Sequence, residues 1–319
     1  MADDFKPKAM RDAFLENLLY EMEYDSDIFF LSADFGSPVL DKIRERFPER
    51  FINVGIAEQN LINVAAGLGL EGFKVFAYAI APFITMRCFE QIRVNLALMH
   101  AVRKLNVNLV GVGAGYSYVV SGPTHQCYED ISLMRTLPNV EILSTSDHLS
   151  SAASVSYCLQ NTNPKYIRLD AQVLPLVQNK TYEDLFFDGF RVLKEGRDVA
   201  LISTGYCTQT AKKVAEQLEQ AGKSCTVVDI VNISKFNSEK LLASVSECDF
   251  VFSLEEGFQG CAGLDTKLSQ LFAATQHCFV GFGVANGYNF ELGTREELHE
   301  QAGIGLNVLQ SKIWKLIEG

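Results

Sequence analysis

The chain has 319 residues, enough for about two domains that each bury a core of their own. With 28 basic and 39 acidic residues its net charge is −11, and no basic run offers a footprint for nucleic acid or an anionic membrane. There is no apolar signal-peptide core, no window long and apolar enough to span a bilayer, and no C-x-x-C pair among the eight cysteines. We therefore expect a cytoplasmic protein with reduced thiols that binds neither nucleic acid nor membrane.

In the first half of the chain, short apolar runs alternate with helical patterns, which is typical of a mostly parallel sheet covered by helices on both faces. The pattern predicts strands at 27–33, 50–54, 74–80, 106–113, 140–145 and 165–169. It predicts helices at 8–24, 38–47, 58–70, 82–104, 125–137 and 147–160. We assign residues 1–175 to this first domain.

A looser, proline-containing stretch follows Asp170, and we expect the interdomain linker at 176–188. A second, smaller domain is expected at 189–319, with strands at 198–205, 224–233, 249–256 and 277–284. Its helices are predicted at 207–221, 238–246, 260–275, 294–301 and 306–317. The predicted fold class is α/β, with two doubly wound domains.

Polar loops follow the first, second and fourth predicted strands, and parallel sheets bind ligands where their strands end. After the second strand, Glu58 begins the helix EQNLINVAAGLGL. A carboxylate there commonly complements the helix dipole, but the small Ala and Gly residues that follow predict a tight interface around it. Glu58 is therefore a candidate to exchange a proton with a ligand nitrogen.

The loop SGPTHQ after the fourth strand holds Ser121 and His125. Thr124 suits the N-cap position, which would place His125 at the start of a helix, where a neutral imidazole is favoured. A lone histidine is more often structural than catalytic. Its position at the same predicted sheet edge as Glu58 nevertheless makes it a candidate for hydrogen bonding or proton transfer.

Three more residues stand near that edge. Phe83 follows the third strand, where an aromatic face can stack on a planar heterocycle, although packing in a core is the commoner role. Arg87 comes one helical turn later. Arg168 ends the last strand of the first domain and either pairs with a carboxylate such as Asp170 or binds a substrate phosphate.

These segments resemble the transketolase family of thiamine diphosphate enzymes. The first domain resembles its pyrimidine-binding domain in FINVGIAEQNLINVAAGLGLEGFKVFAYAIAPF, RCFEQIR, GPTHQCYEDISLMRTLPNVEILSTSD and IRLD. The second resembles the domain that follows it in transketolases and deoxyxylulose-phosphate synthases, in VVDIVNISKFN, SLEEGFQGCAGL and GTREELHEQAGIG. The resemblance covers almost the whole chain, and GIAEQ together with GPTHQ is its most specific part.

The resemblance implies a role for each candidate. Glu58 matches the glutamate that hydrogen-bonds N1′ of the cofactor's aminopyrimidine and thereby promotes loss of the thiazolium C2 proton. Phe83 matches an aromatic residue that stacks on this ring, and Arg87 and Gln59 are assigned to the same cofactor site. His125 matches a histidine that contacts substrate oxygens near the reacting carbon.

The resemblance also implies a substrate site with departures from the family. Arg168 matches an arginine that usually binds the substrate phosphate. Ser121 stands where many transketolases have an aspartate that addresses a substrate hydroxyl, which predicts a non-standard sugar phosphate, sugar or ketoacid. The chain has no GDG motif, so the cofactor diphosphate and its Mg²⁺ (or Ca²⁺) are expected on a separate N-terminal subunit in an α2β2 assembly. The chain alone should be inactive.

Three alternatives remain at this point. One is the β subunit of a ketoacid dehydrogenase, which has the same two-domain plan but usually lacks GPTHQ. Another is a deoxyxylulose-phosphate-synthase-like half enzyme. A third is a catalytically silent scaffold, against which the joint presence of Glu58, His125 and Arg168 argues.

Overall fold

A computed structural model describes residues 6–178 and 185–318. These residues form two α/β domains, each built on one central sheet. The linker predicted at 176–188 lies partly outside the described residues, as do the first five residues and the last residue of the predicted domains. Within the described ranges, none of the helices is both long and apolar enough to cross a membrane.

The first sheet contains six parallel strands in the order β2-β1-β3-β4-β6-β5. All six predicted strands are present, which confirms a parallel, doubly wound first domain. Their apolar runs are buried because helices cover both faces, and all seven residues of β4 are buried. The strands are β1 (Ile28–Ser32), β2 (Phe51–Asn53), β3 (Lys74–Ile80), β4 (Asn106–Val112), β5 (Glu141–Ser144) and β6 (Lys165–Leu169).

The helices around this sheet begin at recognisable caps. Ser37 accepts a hydrogen bond from the Leu40 amide at the start of α2, and Asp147 forms a capping box with Ser150 at the start of α7. The helices are α1 (Met10–Tyr24), α2 (Pro38–Arg46), α3 (Glu58–Leu70), α4 (Phe89–Gln91), α5 (Met99–Val102), α6 (Asp130–Arg135) and α7 (His148–Gln160).

The prediction of one regular helix over 82–104 is wrong in detail. Two π-helical segments, Phe83–Arg87 and Ile92–Leu98, alternate with the short helices α4 and α5. A π turn takes in an extra residue and shifts side chains around the helix axis, and such turns are frequent at functional sites. An apolar pattern read at 3.6 residues per turn does not reveal this change of winding.

The second sheet has the strand order β11-β10-β8-β9-β7. The four predicted strands are present as a parallel set, and the antiparallel edge strand β7, which pairs with β9, was not predicted. The sequence of β7, FRVLK, is short, charged and half-exposed, as edge strands often are. The strands are β7 (Phe190–Lys194), β8 (Val199–Ser203), β9 (Cys225–Ile230), β10 (Phe250–Phe258) and β11 (Cys278–Val284).

The helices of the second domain follow the predicted order, with the short additional helix α8 before β7. They are α8 (Leu185–Asp188), α9 (Cys207–Gln220), α10 (Ser238–Ser244), α11 (Leu264–Phe272), α12 (Arg295–Ala302) and α13 (Leu306–Glu318). The cysteines all lie within the described ranges as free thiols, and only Cys261 and Cys278 are exposed.

Backbone hydrogen bonds join the two domains. The Ser144 amide at the end of β5 donates to the Val231 carbonyl at 2.9 Å, and the Ile233 amide donates to the Ile142 carbonyl at 2.9 Å. The chain that leaves β9 thus runs antiparallel beside β5. The domains are therefore held together by main-chain bonds as well as by side chains.

A buried ionic cluster crosses the same interface. Arg295 of α12 donates to Glu256 through Nε at 2.9 Å and Nη2 at 2.6 Å, and to Asp170 of the first domain through Nη1 at 2.6 Å. His299 Nε2 lies 2.6 Å from the Glu256 carboxylate. Burial favours the neutral acid, but the charge of Arg295 and the hydrogen bond with His299 outweigh it and hold the pKa of Glu256 well below its usual range.

Glu255, the neighbour of Glu256, has the opposite environment. It is fully buried and accepts a hydrogen bond from the Asp265 amide at 2.7 Å, at the start of α11. No salt bridge reaches it among residues 6–178 and 185–318. Burial raises the pKa of Glu255 to about 7, against the lowering effect of the Asp265 amide.

Replacing Arg295 by Ala should lower the free energy of unfolding by about 3–5 kcal/mol, because it leaves the buried Asp170 carboxylate without its cation and Glu256 with His299 alone. Urea unfolding followed by circular dichroism measures this loss. The matched control is Arg197→Ala, which removes an exposed pair with Glu247 (3.2 Å; side chains 81% and 67% exposed) and should change the free energy by less than about 1 kcal/mol. Equal losses in the two variants would contradict the account.

Glu255 should make stability depend on pH. Its pKa is raised in the folded state from 4.5 to about 7, so the folded state holds this proton more tightly than the unfolded state. The stabilisation that this bound proton gives the folded state is therefore fully present below about pH 4.5 and is lost as pH rises to about 7. The melting temperature of Glu255→Gln minus that of the unmodified chain should rise across this window and level off above it. A difference that stays flat from pH 4.5 to 8 would count against the raised pKa.

Candidate active site

The structure places Glu58 in the first turn of α3, as predicted. Its side chain is buried, with 3% of the residue exposed. The preceding loop turns at Gly55, whose φ of +74° disfavours residues that carry a Cβ. The connection from β2 to α3 therefore delivers a buried carboxylate to the carboxyl edge of the first sheet.

Arg87 contacts both Glu58 and Phe83. Its Nη1 lies 2.8 Å from each of the two carboxylate oxygens of Glu58. The guanidinium carbon lies 4.3 Å from the centroid of the Phe83 ring, which is a cation–π contact. Burial, and then the charge of Glu58, raise the pKa of Cys88 to about 12, so the neighbouring sulfur is a neutral thiol.

His125 lies beside Phe83. Their ring centroids are 5.3 Å apart in an edge-to-face arrangement. Glu58, Arg87, Phe83 and His125 are thus joined by consecutive contacts, although they come from three different connections of the first domain. We call these four residues the Glu58–His125 cluster.

The prediction that Thr124 caps a helix beginning at His125 is wrong. Residues 118–128 run as turns and an isolated bridge, and the helix begins only at Asp130. Thr124 Oγ1 instead lies 3.0 Å from Nδ1 of His125. No helix dipole therefore acts on His125 from this segment, and its ring is positioned by Thr124 and by its aromatic neighbours.

Tyr118 and Arg11 were missed in the sequence analysis. Tyr118 meets the His125 ring edge to face at 6.2 Å, and a Cβ on Gly113 would lie 2.1 Å from the Tyr118 ring. Burial raises the pKa of Tyr118, and the charge of Arg11 on α1 opposes this effect. No local pattern links residue 11 to residue 118, since this charge interaction exists only in the folded chain.

Ser121 and Gln59 lie at the exposed margin of the cluster. Ser121 belongs to a turn in which its amide donates to the Tyr118 carbonyl at 3.2 Å. Gln59 Nε2 donates to the main-chain carbonyl of Arg87 at 3.2 Å. The Gln59 side chain therefore ties α3 to the π-helical segment that carries Arg87.

Arg168 does not join the cluster. It is 1% exposed, and its Nε pairs with Asp130 at 2.7 Å. Its Nη2 donates to the carbonyls of Cys127 and Glu256, at 3.4 and 3.0 Å. The carboxylate that it pairs with is Asp130 and not Asp170, and its binding of a substrate phosphate stays a prediction. Arg168 holds the first domain against the second.

The cluster has the chemistry to bind a planar ring that donates a hydrogen bond. The Glu58 carboxylate is a buried acceptor, and the Phe83 ring offers a face beside it. The group now in that position is the Arg87 guanidinium, which is itself planar, donates to Glu58 and stacks on Phe83. The same carboxylate can accept a proton from such a ring or hold one in place on it.

Models of two protein domains match this chain. The transketolase pyrimidine-binding domain matches residues 6–177, and the transketolase C-terminal domain matches residues 189–308. The matches cover both of the sheets described above.

Similar proteins include subunits of divided enzymes. The chain is 32% identical over 264 residues to one of the subunits of the apulose-4-phosphate transketolase of Actinobacillus succinogenes, with 82% of each chain covered. It is 31% identical over 300 residues to the 6-deoxy-6-sulfo-D-fructose transketolase subunit SqwH of a Clostridium species, covering 92% of this chain and 90% of that one. A solved structure described as a split gene transketolase, an inactive beta4 tetramer, superimposes with a TM-score of 0.85 at 30% identity, covering 98% and 99% of the two chains.

Proposed function

This chain belongs to the transketolase family, and we propose that it is the C-terminal subunit of a two-component, thiamine diphosphate-dependent transketolase-like enzyme. Such an enzyme transfers a two-carbon ketol or acyl-anion unit from a ketose or ketoacid donor to an aldehyde or ketone acceptor. The observation that carries the proposal is the Glu58–His125 cluster, which joins a buried carboxylate, an aromatic face and a histidine at one sheet edge.

The cluster fits the aminopyrimidine of thiamine diphosphate. Glu58 would accept a hydrogen bond from the ring nitrogen, and Phe83 would pack on the ring face. When bound, this cofactor supplies a nucleophilic carbon that can break and form carbon–carbon bonds. The role of Glu58 is to hold a proton on the ring nitrogen, and burial strengthens that interaction because the surrounding dielectric is low.

Arg87 has to leave this position before the ring can enter. Its guanidinium covers the Phe83 face and takes both oxygens of Glu58, which are the groups that the aminopyrimidine needs. Arg87 can move outward, since 46% of its side chain is exposed. We therefore assign Arg87 to the cofactor site as a residue that neutralises Glu58 while the site is empty, with Gln59 supporting its backbone.

His125 and Ser121 are proposed to face the substrate. His125 has a ring nitrogen paired with Thr124, which leaves the other nitrogen for a substrate oxygen. Ser121 is exposed in the same turn and can donate to a substrate hydroxyl without adding charge. Relatives named for apulose-4-phosphate and for 6-deoxy-6-sulfo-D-fructose support a non-standard sugar substrate that carries an anionic group.

The second component is proposed to be an N-terminal subunit with a GDG motif, which would hold the cofactor diphosphate and Mg²⁺ or Ca²⁺ in a cytoplasmic α2β2 complex. Support comes from the relatives that are named as subunits and from the similarity to a split gene transketolase.

Replacing Glu58 by Ala should abolish turnover. In a mixture of this chain, its N-terminal partner, thiamine diphosphate and Mg²⁺, we expect the variant to lower kcat by at least about 100-fold, since a positioned acid–base group contributes about that much. The matched control is Glu90→Ala, which removes an exposed glutamate paired with Arg93 and should leave kcat unchanged. Normal turnover of the Glu58 variant would refute the assignment of the site.

Replacing Arg87 by Met should strengthen cofactor binding. Because the cofactor no longer displaces a bound guanidinium, we expect its Kd in the two-component complex to fall about tenfold, as measured by calorimetry. The unliganded chain should melt at a lower temperature, since Glu58 remains buried without a partner. Arg93→Met is the matched control and should change neither quantity. Weaker cofactor binding by the Arg87 variant would mean that Arg87 contacts the cofactor directly.

A further inference from the structure

A cleft between the two domains lies away from the Glu58–His125 cluster. It has a volume of about 480 Å³, within the range of pockets that take small metabolites. From the first domain it is lined by residues near the amino ends of β5 and β6, whereas the Glu58–His125 cluster lies at the carboxyl edge of that sheet. The two domains both contribute to its lining, with Arg135, Asn139 and Glu141 from the first and Lys235, Lys267 and Gln270 from the second.

Two cations are fixed inside this cleft by neutral groups. Lys267 Nζ donates to the carbonyls of Ile233 and Ser234, at 2.6 and 2.7 Å. Arg135 Nη1 donates to the carbonyls of Ala262 and Gly263. Each side chain keeps further N–H donors beyond these bonds, because an ammonium has three and a guanidinium has five.

These cations carry charge that the protein does not neutralise locally. Burial, and then the nearby charge of Arg135, lower the pKa of Lys267 to about 8. Burial also lowers the pKa of Arg135, against a smaller opposite effect of Glu255 and Asp265. In the part of the chain that the structure describes, no carboxylate forms a salt bridge with either cation. The cleft therefore concentrates positive charge on a protein whose net charge is −11.

The one carboxylate in the lining keeps its charge. Glu141 accepts hydrogen bonds from Tyr157 at 2.5 Å and from Asn163 at 2.8 Å. Asn161 and Asn232 also donate to it, at 3.2 Å each. These neutral donors hold its oxygens without cancelling the negative charge, which is offset by the nearby buried cation of Lys165. Lys235 adds a third cation at the exposed rim.

We propose that this interdomain cleft is a binding site for a small phosphate-bearing anion. Arg135 and Lys267 would bind the phosphate oxygens, since a guanidinium and an ammonium together match its charge and its several acceptors. Asn139 and Gln270 line the same cleft and suit hydroxyl groups on the rest of a metabolite. The ligand would supply the counter-charge that the interface lacks and would join the domains at a place separate from the reaction site.

Calorimetric titration of the full chain tests this site, with inorganic phosphate and ribose 5-phosphate as separate probes. We expect saturable binding of one phosphate group per chain that weakens as salt is added. Lys267→Gln should raise the Kd about tenfold, because it removes a charged hydrogen bond, and Lys267→Arg should restore affinity. Tighter binding of ribose 5-phosphate would identify an organic phosphate as the ligand, and equal binding would identify free phosphate.

Two further variants keep the test decisive. Lys235→Gln changes an exposed rim residue without disturbing the interface, so it reports on the site even if Lys267→Gln unfolds, and it should raise the Kd about threefold. Lys213→Gln, an exposed lysine on α9 outside the cleft, should leave the Kd unchanged. Absence of saturable binding, or equal weakening by the Lys213 and the cleft variants, would overturn the proposal.

Discussion

The burial of the Glu58 carboxylate is the constraint on which the candidate site depends. A carboxylate that is almost removed from water needs a charged or hydrogen-bonding partner, and in this chain Arg87 provides it. The Glu58–Arg87 pair joins the π-helical segment to α3. Arg87 also packs on the Phe83 ring, which in turn contacts His125. The same need makes the site ready for a ligand, because a ring that donates to Glu58 can replace Arg87 without leaving the carboxylate unpaired.

The domain interface also contains charged side chains that are removed from water, and they find their partners in two different ways. At Glu256 the buried carboxylate is matched by Arg295 and His299, which makes the contact between domains strong and specific. At Arg135 and Lys267 the half-buried cations donate to main-chain carbonyls, and within the described residues neither forms a salt bridge. The charges around Glu256 are thus paired within the protein. The cations Arg135 and Lys267 have no such partner among these residues, so their cleft is the part of the interface that is suited to an anionic ligand.

Much of the fold follows from the sequence because its signals are local. Apolar runs such as NVNLVGV are buried in a strand that is covered on both faces, and the helix that begins at Glu58 carries its apolar pattern through to Leu70. Other features were missed because they depend on interactions between residues that are distant in sequence. Arg168 is buried because Asp130 and the Glu256 carbonyl accept its hydrogen bonds, the His125 ring packs on Phe83, and the charge of Arg11 acts on Tyr118 only in the folded chain.

We propose that this chain supplies half of a cofactor site, and that Glu58 binds the cofactor only when the N-terminal subunit is present. The most direct measurement is the stoichiometry of thiamine diphosphate binding by equilibrium dialysis, with this chain alone, the N-terminal subunit alone and their mixture, each with Mg²⁺. The account predicts tight binding only in the mixture, at one cofactor for each pair of different chains. Equally tight binding by either chain alone, or a mixture that binds no better than its components, would contradict it.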